Sequence, residues 1–147
     1  PAPYTAPSES KAAGLYMICT LSKQHAESRG DHDAMMLDWR GRVAEATGAN
    51  IFCVKDGALH TPVPDCFLDG ITRRTVMDLA RKRGIEVVER PIWPEELEGF
   101  QQAFLTGTAA EVTAVQSIGP YKFESVEMAK QLDRDYEDLV NGRIANA

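Results

Sequence analysis

The sequence predicts an α/β chain of the mixed, α+β kind, with short strands and packed helices around a single core. Three observations predict it. A series of short β-like pieces surrounds the hairpin signal Asp56-Gly57. A helical pattern in "DGITRRTVMDLARKRG" is followed at once by "IEVVER", which alternates like a strand. The chain then closes on the amphipathic helical pattern "SVEMAKQLDRDYEDLVNG".

The elements follow in order. Residues 1–7, "PAPYTAP", hold three of the eight prolines and cannot be helical, so they are expected to be an extended lead-in or linker tail, with one domain over 8–147. Ala12 to Ser28 reads as a helix, with Ser8 or Ser10 as N-cap candidates and Gly30 as its stop. Its first half, "AAGLYMIC", is apolar on every side, which predicts a buried helix. "AMMLD", a turn at "DWRG", "RVAEA", "NIFCVK" and "ALHTP" form an expected antiparallel block. The next helix is apolar at Ile71, Val76, Leu79 and Ala80 and stops at Gly84. "PEELEGF" is a Pro-led helical turn, and "AFLTG" and "EVTAVQSIG" are strand-like around a turn of small residues.

Composition narrows the function classes. With 147 residues, 44% hydrophobic and 26% charged, the chain has material for one core. A formal charge of −6 argues against a nucleic-acid backbone or an anionic membrane as partner. No run approaches the roughly 20 apolar residues of a membrane span. Cys19, Cys53 and Cys66 are odd in number and lack C-x-x-C spacing, so reduced thiols and a cytoplasmic setting are expected. His25, His32 and His60 share no metal-ligand spacing, and no metal is expected.

Four motifs can carry chemistry. Lys11 heads the apolar run, where lost hydration would lower its pKa and make its amine a nucleophile. A lysine that lays its stem on apolar surface and keeps its head in water fits equally, and pattern alone favours that. Glu45 alternates with Val43 onto one strand face, where a buried carboxylate needs a partner, although an exposed strand end is the plainer reading. "LDGIT" places a glycine and Thr72 before a helix whose free N–H groups attract an anion, or simply caps it. "LTGTAAE" offers accessible backbone N–H groups to a phosphate or carboxylate, or merely turns the chain.

In order and in spacing, "SKAAGLYM", "VAEATGANIF", "VKDGALHTP", "DCFLDGITR", "ARKRGIEVVER", "LTGTAAEVT" and "IGPYKF" closely resemble class IV (fold-type IV) aminotransferases, nearest to those of branched-chain amino acids. The resemblance runs over roughly residues 5–123 and implies the C-terminal, cofactor-binding domain of that fold, a mixed sheet or pseudo-barrel with packed helices. It also implies pyridoxal 5′-phosphate as cofactor. Lys11 matches the lysine that holds this cofactor as a Schiff base and shuttles the proton at the substrate Cα. Tyr16 matches the tyrosine at the cofactor's phenolic oxygen, and Glu45 the carboxylate that keeps the pyridine nitrogen protonated. Leu68 matches the residue packed on the ring. Gly70, Ile71 and Thr72 match the phosphate-binding helix start, and Thr108 a further phosphate contact. Thr108, Ala109 and Ala110 lie where the family turns backbone N–H groups to the substrate carboxylate.

By resemblance the substrates are an amino acid, branched-chain by motif similarity, and 2-oxoglutarate, and the assembly is a homodimer. The sequence departs at Ala49, Asp31, Cys53 and Ala114, where many members have glutamate, an aromatic residue, phenylalanine and proline. None of these is a cofactor contact. The family's N-terminal domain, with an arginine to the phosphate, has no counterpart in the sequence, so its contribution is expected from another chain. The alternative is a non-catalytic domain that keeps the fold, and the cofactor site with it, but does not turn over.

Overall fold

Strand β3 (Asn50–Lys55) is the axis of the molecule, and its sequence explains why. "IFCV" is apolar at every position, so the strand suits a place with both faces covered. The computed structural model, which describes residue 2 and residues 4–144, puts it there. Of the expected lead-in, Pro1 and Pro3 lie outside the described residues, as do residues 145–147 of the expected domain. Thr5 donates its N–H to Ala2 O (3.0 Å), so the lead-in turns rather than running extended.

β1 (Met35–Leu37), β2 (Val43–Ala46), β3 and β4 (Ala58–Thr61) pair antiparallel in that order, as the sequence predicts. Asp56 and Gly57 turn β3 into β4 with φ of 51° and 79°, the conformation that suits the twist of a two-residue hairpin. β6 (Gln102–Gly107) lies antiparallel along β3 from Asn50 to Val54, and β7 (Glu111–Val115) lies antiparallel along β6. Since β6 takes one edge of β3, the other edge serves β2 at Asn50 and β4 from Cys53 onward. The sheet therefore splits between β2 and β4.

α2 (Ile71–Lys82) carries the chain from β4 to β5 (Val87–Glu89), which is parallel to β4, so the expected helix-then-strand unit is a βαβ crossover. α3 (Glu127–Val140) packs beside α2 on the same face. Phe52, Val54, Leu59, Val76, Ala80, Phe104 and Leu132 fill that layer, with the Phe52 and Phe104 rings stacked at 5.1 Å. Gln102 Oε1 accepts the Met128 N–H (3.0 Å) and ties the start of α3 to the sheet. Ile51, Cys53, Ile92, Leu97, Phe100, Ala103 and Phe123 fill the opposite layer, under the 3-10 turn Pro94–Gly99. The strand-like tail breaks after Val115. β8 (Ser117–Ile118) pairs instead with β9 (Tyr121–Lys122), because Gly119 and Pro120 turn the chain back.

The first helix differs from expectation. α1 spans Tyr16–Ser28, after a 3-10 turn at Ala13–Leu15, and neither Ser8 nor Ser10 caps it. It buries only Ala26 fully, while Met17, Ile18 and Leu21 are 70%, 61% and 61% exposed. An all-round apolar pattern shows that a helix is compatible with burial, but burial needs an opposing face. No element among the described residues covers this one.

Candidate active site

The split in the sheet leads into a cleft of about 640 Å³. Its walls are the segment into α1, the strands β1 and β2, the loop from β2 to β3, the start of α2 and the end of β6. Eight of the residues singled out in the sequence line it together: Lys11, Tyr16, Glu45, Leu68, Gly70, Ile71, Thr72 and Thr108. Ala109 and Ala110 do not line it. They occupy the tight turn to β7 just beyond Thr108.

Lys11 is exposed and sits in the left-handed region (φ 48°, ψ 37°) between two short 3-10 turns. That conformation is uncommon for a residue with a Cβ, and such strain clusters at functional sites. Tyr16 opens α1 at 38% exposure.

Glu45 is half-buried, and desolvation pushes its carboxyl up to about 7. Among the described residues it has no ion-pair partner, and desolvation is the larger influence on its carboxyl. Cys19 and Cys66 also line the cleft. Burial, then the Glu45 charge, pushes the Cys19 thiol up, and burial with Asp65 pushes Cys66 up to about 11. Both stay protonated and make poor nucleophiles.

The opposite end of the cleft is built from backbone. Gly70 is the extended N-cap of α2 (φ −63°, ψ 145°), Thr72 lies two residues inside rather than capping, and no side chain caps the helix. The Arg74 N–H bonds to Gly70 O (3.1 Å), which leaves the N–H groups of Ile71, Thr72 and Arg73 for a ligand. Asn50 holds the approach: its Nδ2 donates to Leu68 O (2.9 Å) and its Oδ1 accepts the Gly70 N–H (3.2 Å). Arg73, 1% exposed, anchors the same turn through Asp69 (2.8 Å), Glu89 (2.8 Å) and Pro62 O (3.0 Å). Across from it, Gly107 passes close to the β2–β3 loop, where a Cβ would lie 3.3 Å from Gly48 O. Beside Gly107, the Thr106 hydroxyl is sealed from solvent and has no hydrogen-bond partner among the described residues.

Residues 2–118 match the family Amino-transferase class IV. This chain belongs to the class IV aminotransferase family. It is 43% identical over 145 residues to a protein of Rickettsia bellii named "Probable branched-chain-amino-acid aminotransferase", covering 96% of this chain and 50% of that protein. The crystallised branched-chain amino acid aminotransferase of Escherichia coli is 35% identical, with a TM-score of 0.93 over 99% of this chain and 51% of that one. The holo, PLP-form enzyme of Thermobaculum terrenum is 36% identical, with a TM-score of 0.91 over 95% of this chain and 47% of its own. The chain thus spans about half the length of the relatives it matches. The mixed sheet with helices packed on it is the class IV aminotransferase fold expected from the sequence.

Within this class IV domain, sequence reasoning missed Asn50, Thr106 and Asp38. Asn50 heads a buried apolar strand and Thr106 alternates with Phe104 onto the core face, so each was a polar residue at a position patterned for burial. That was the available signal. Asp38, Asp65 and Cys66 bring donor atoms within 4.8 Å of one another, as a cation site would. Arg42 already occupies both carboxylates, at 2.6 Å from Asp38 and 2.9 Å from Asp65. Against desolvation, hydrogen bonds from Arg42 and Arg40 hold Asp38 below the usual carboxylate range, and the cluster is an ion-pair network.

Proposed function

We propose that this chain is the cofactor-binding part of a pyridoxal 5′-phosphate-dependent aminotransferase that moves the amino group of a branched-chain amino acid to 2-oxoglutarate. One observation carries the reading: a single cleft gathers an amine, a desolvated carboxylate and a helix N-terminus without a side-chain cap. The residues fit the cofactor at both ends. The sealed Thr106 hydroxyl and the bare N–H groups of α2 suit a phosphate, and the raised Glu45 carboxyl suits a ring nitrogen that brings a proton.

When bound, pyridoxal 5′-phosphate supplies an electron sink for negative charge at the substrate Cα. The chain's residues do the rest. Lys11 would be the covalent anchor and then the base that takes and returns the Cα proton. Glu45 would hold a proton on the ring nitrogen, since an opposite charge beside it favours its ionised form. Tyr16 would serve the phenolic oxygen and Leu68 the ring. The N–H groups of Ile71 and Thr72, with Thr108, would hold the phosphate on the positive end of the α2 dipole. Thr108, Ala109 and Ala110 would receive the substrate carboxylate on the turn that follows β6.

The exposed Tyr16, Ile18 and Trp39 on the cleft wall favour a second reading of the isolated chain, in which cofactor binding survives without turnover. In the first reading a second protein surface covers α1, as a homodimer partner or a further domain from another chain would. A cytoplasmic setting suits the three free cysteines. The test is to titrate the chain with pyridoxal 5′-phosphate and then add L-leucine or L-valine. A visible band that bleaches on adding amino acid supports transamination, a band that persists supports the second reading, and no band removes both.

A further inference from the structure

Asn50 is the first residue of β3, and its own pairing puts it at the centre of the site. It lies opposite Glu45 on β2 and opposite Thr106 on β6. It is 6% exposed, a costly place for a carboxamide unless its groups are bonded. Both ends are bonded, and both bonds go to one short turn, at Leu68 O (2.9 Å) and Gly70 N–H (3.2 Å).

The fit is tight. A Cβ on Gly70 would lie 2.4 Å from Asn50 Oδ1, so the turn rests directly on the carboxamide and only glycine can occupy that position without moving it. Backbone N–H groups have no rotatable side chain with which to correct their aim. Where those of Ile71 and Thr72 point is set by the backbone of residues 68–70, and Asn50 holds that backbone at both sides of Asp69.

We propose that Asn50 is a positioning residue for the phosphate end of the cleft: by clamping Leu68 and Gly70 it aims the Ile71 and Thr72 N–H groups at the cofactor phosphate. This rests on the proposed function. No variant at this position reproduces both bonds. Aspartate keeps the acceptor for Gly70 but loses the donor to Leu68 and adds a negative charge near the phosphate. Alanine loses both bonds and leaves a carbonyl and an N–H unsatisfied.

The test separates aiming from folding by comparing pyridoxal 5′-phosphate with pyridoxal, which lacks the phosphate. Both are titrated into the wild-type chain, Asn50→Ala and Gly70→Ala, with the visible band as readout and thermal melting alongside. Gly70→Ala strikes the same contact from the other side. In both variants the affinity for pyridoxal 5′-phosphate should fall about tenfold, that for pyridoxal should change by less than about twofold, and the 31P resonance of the bound phosphate should shift. Equal loss for both ligands, or no loss in either variant, overturns the role of Asn50. If the wild-type chain binds neither ligand, the proposed function falls and this inference with it.

Discussion

Glu45 on β2 and Asn50 on β3 are paired across the sheet, so the cleft's desolvated carboxylate and the carboxamide that seats the α2 turn sit in one fixed relation. The two ends of a rigid, elongated ligand would thus be spaced by a single rung of sheet. The consequences can be tested one residue at a time.

Glu45 should make the ligand-free chain less stable as pH rises. Its carboxyl moves from 4.5 to about 7 on folding. Between those values the folded state keeps a proton that the unfolded chain has released, so stability falls as pH climbs from about 4.5 to about 7 and levels off above. Glu45→Gln removes that slope. Urea melts of both proteins across this range should converge at the acid end and diverge at the neutral end, with the variant the more stable. Parallel curves would show that the carboxyl is not desolvated.

The same substitution should lower turnover of the assembled enzyme far more than cofactor affinity. The amide keeps the shape of the side chain and loses the charge that, on the proposed function, would hold the ring nitrogen protonated. Single-turnover rates with saturating cofactor measure this directly, and rates equal to wild type would remove Glu45 from that role.

Arg73 is buried at the first turn of α2, where a cation opposes the helix dipole. Its carboxylate partners, Asp69 and Glu89, are each 39% exposed and can return to water when it is removed. Arg73→Met should therefore destabilise the chain by about 1.5–3 kcal/mol, through the charged hydrogen bonds lost at the buried Pro62 O and Thr61 hydroxyl rather than through a stranded charge. Denaturant melts should show the drop in midpoint with an unchanged slope.

Ile18→Glu and Leu21→Glu on α1 should change the stability of the isolated chain by no more than about 0.5 kcal/mol, as exposed positions do. A loss of several kcal/mol would mean that α1 is buried in solution.

Much of this fold was legible because its signals are local. Asp56-Gly57 set the hairpin, Gly84 stopped α2, and Val76, Leu79 and Ala80 of the expected apolar positions of α2 join the core, while Ile71, at the first turn and facing the cleft, is 80% exposed. The site residues were legible one by one but ambiguous, since Thr72 at a helix start and Glu45 on a strand have ordinary uses. Only their placement around one cleft joins them, and that depends on β3 changing neighbours from β2 to β4 along one edge. The burial of α1 was misread for the converse reason. Its pattern is local, but the face that would cover it is not among the described residues.

The most direct test of the central claim is chemical. The chain is loaded with pyridoxal 5′-phosphate, treated with borohydride, digested and mapped by mass spectrometry. The account predicts one reduced cofactor adduct, on Lys11, absent from Lys11→Ala together with all transamination by the assembled enzyme. An adduct on Lys55 or Lys82 instead, or none at all, would contradict it.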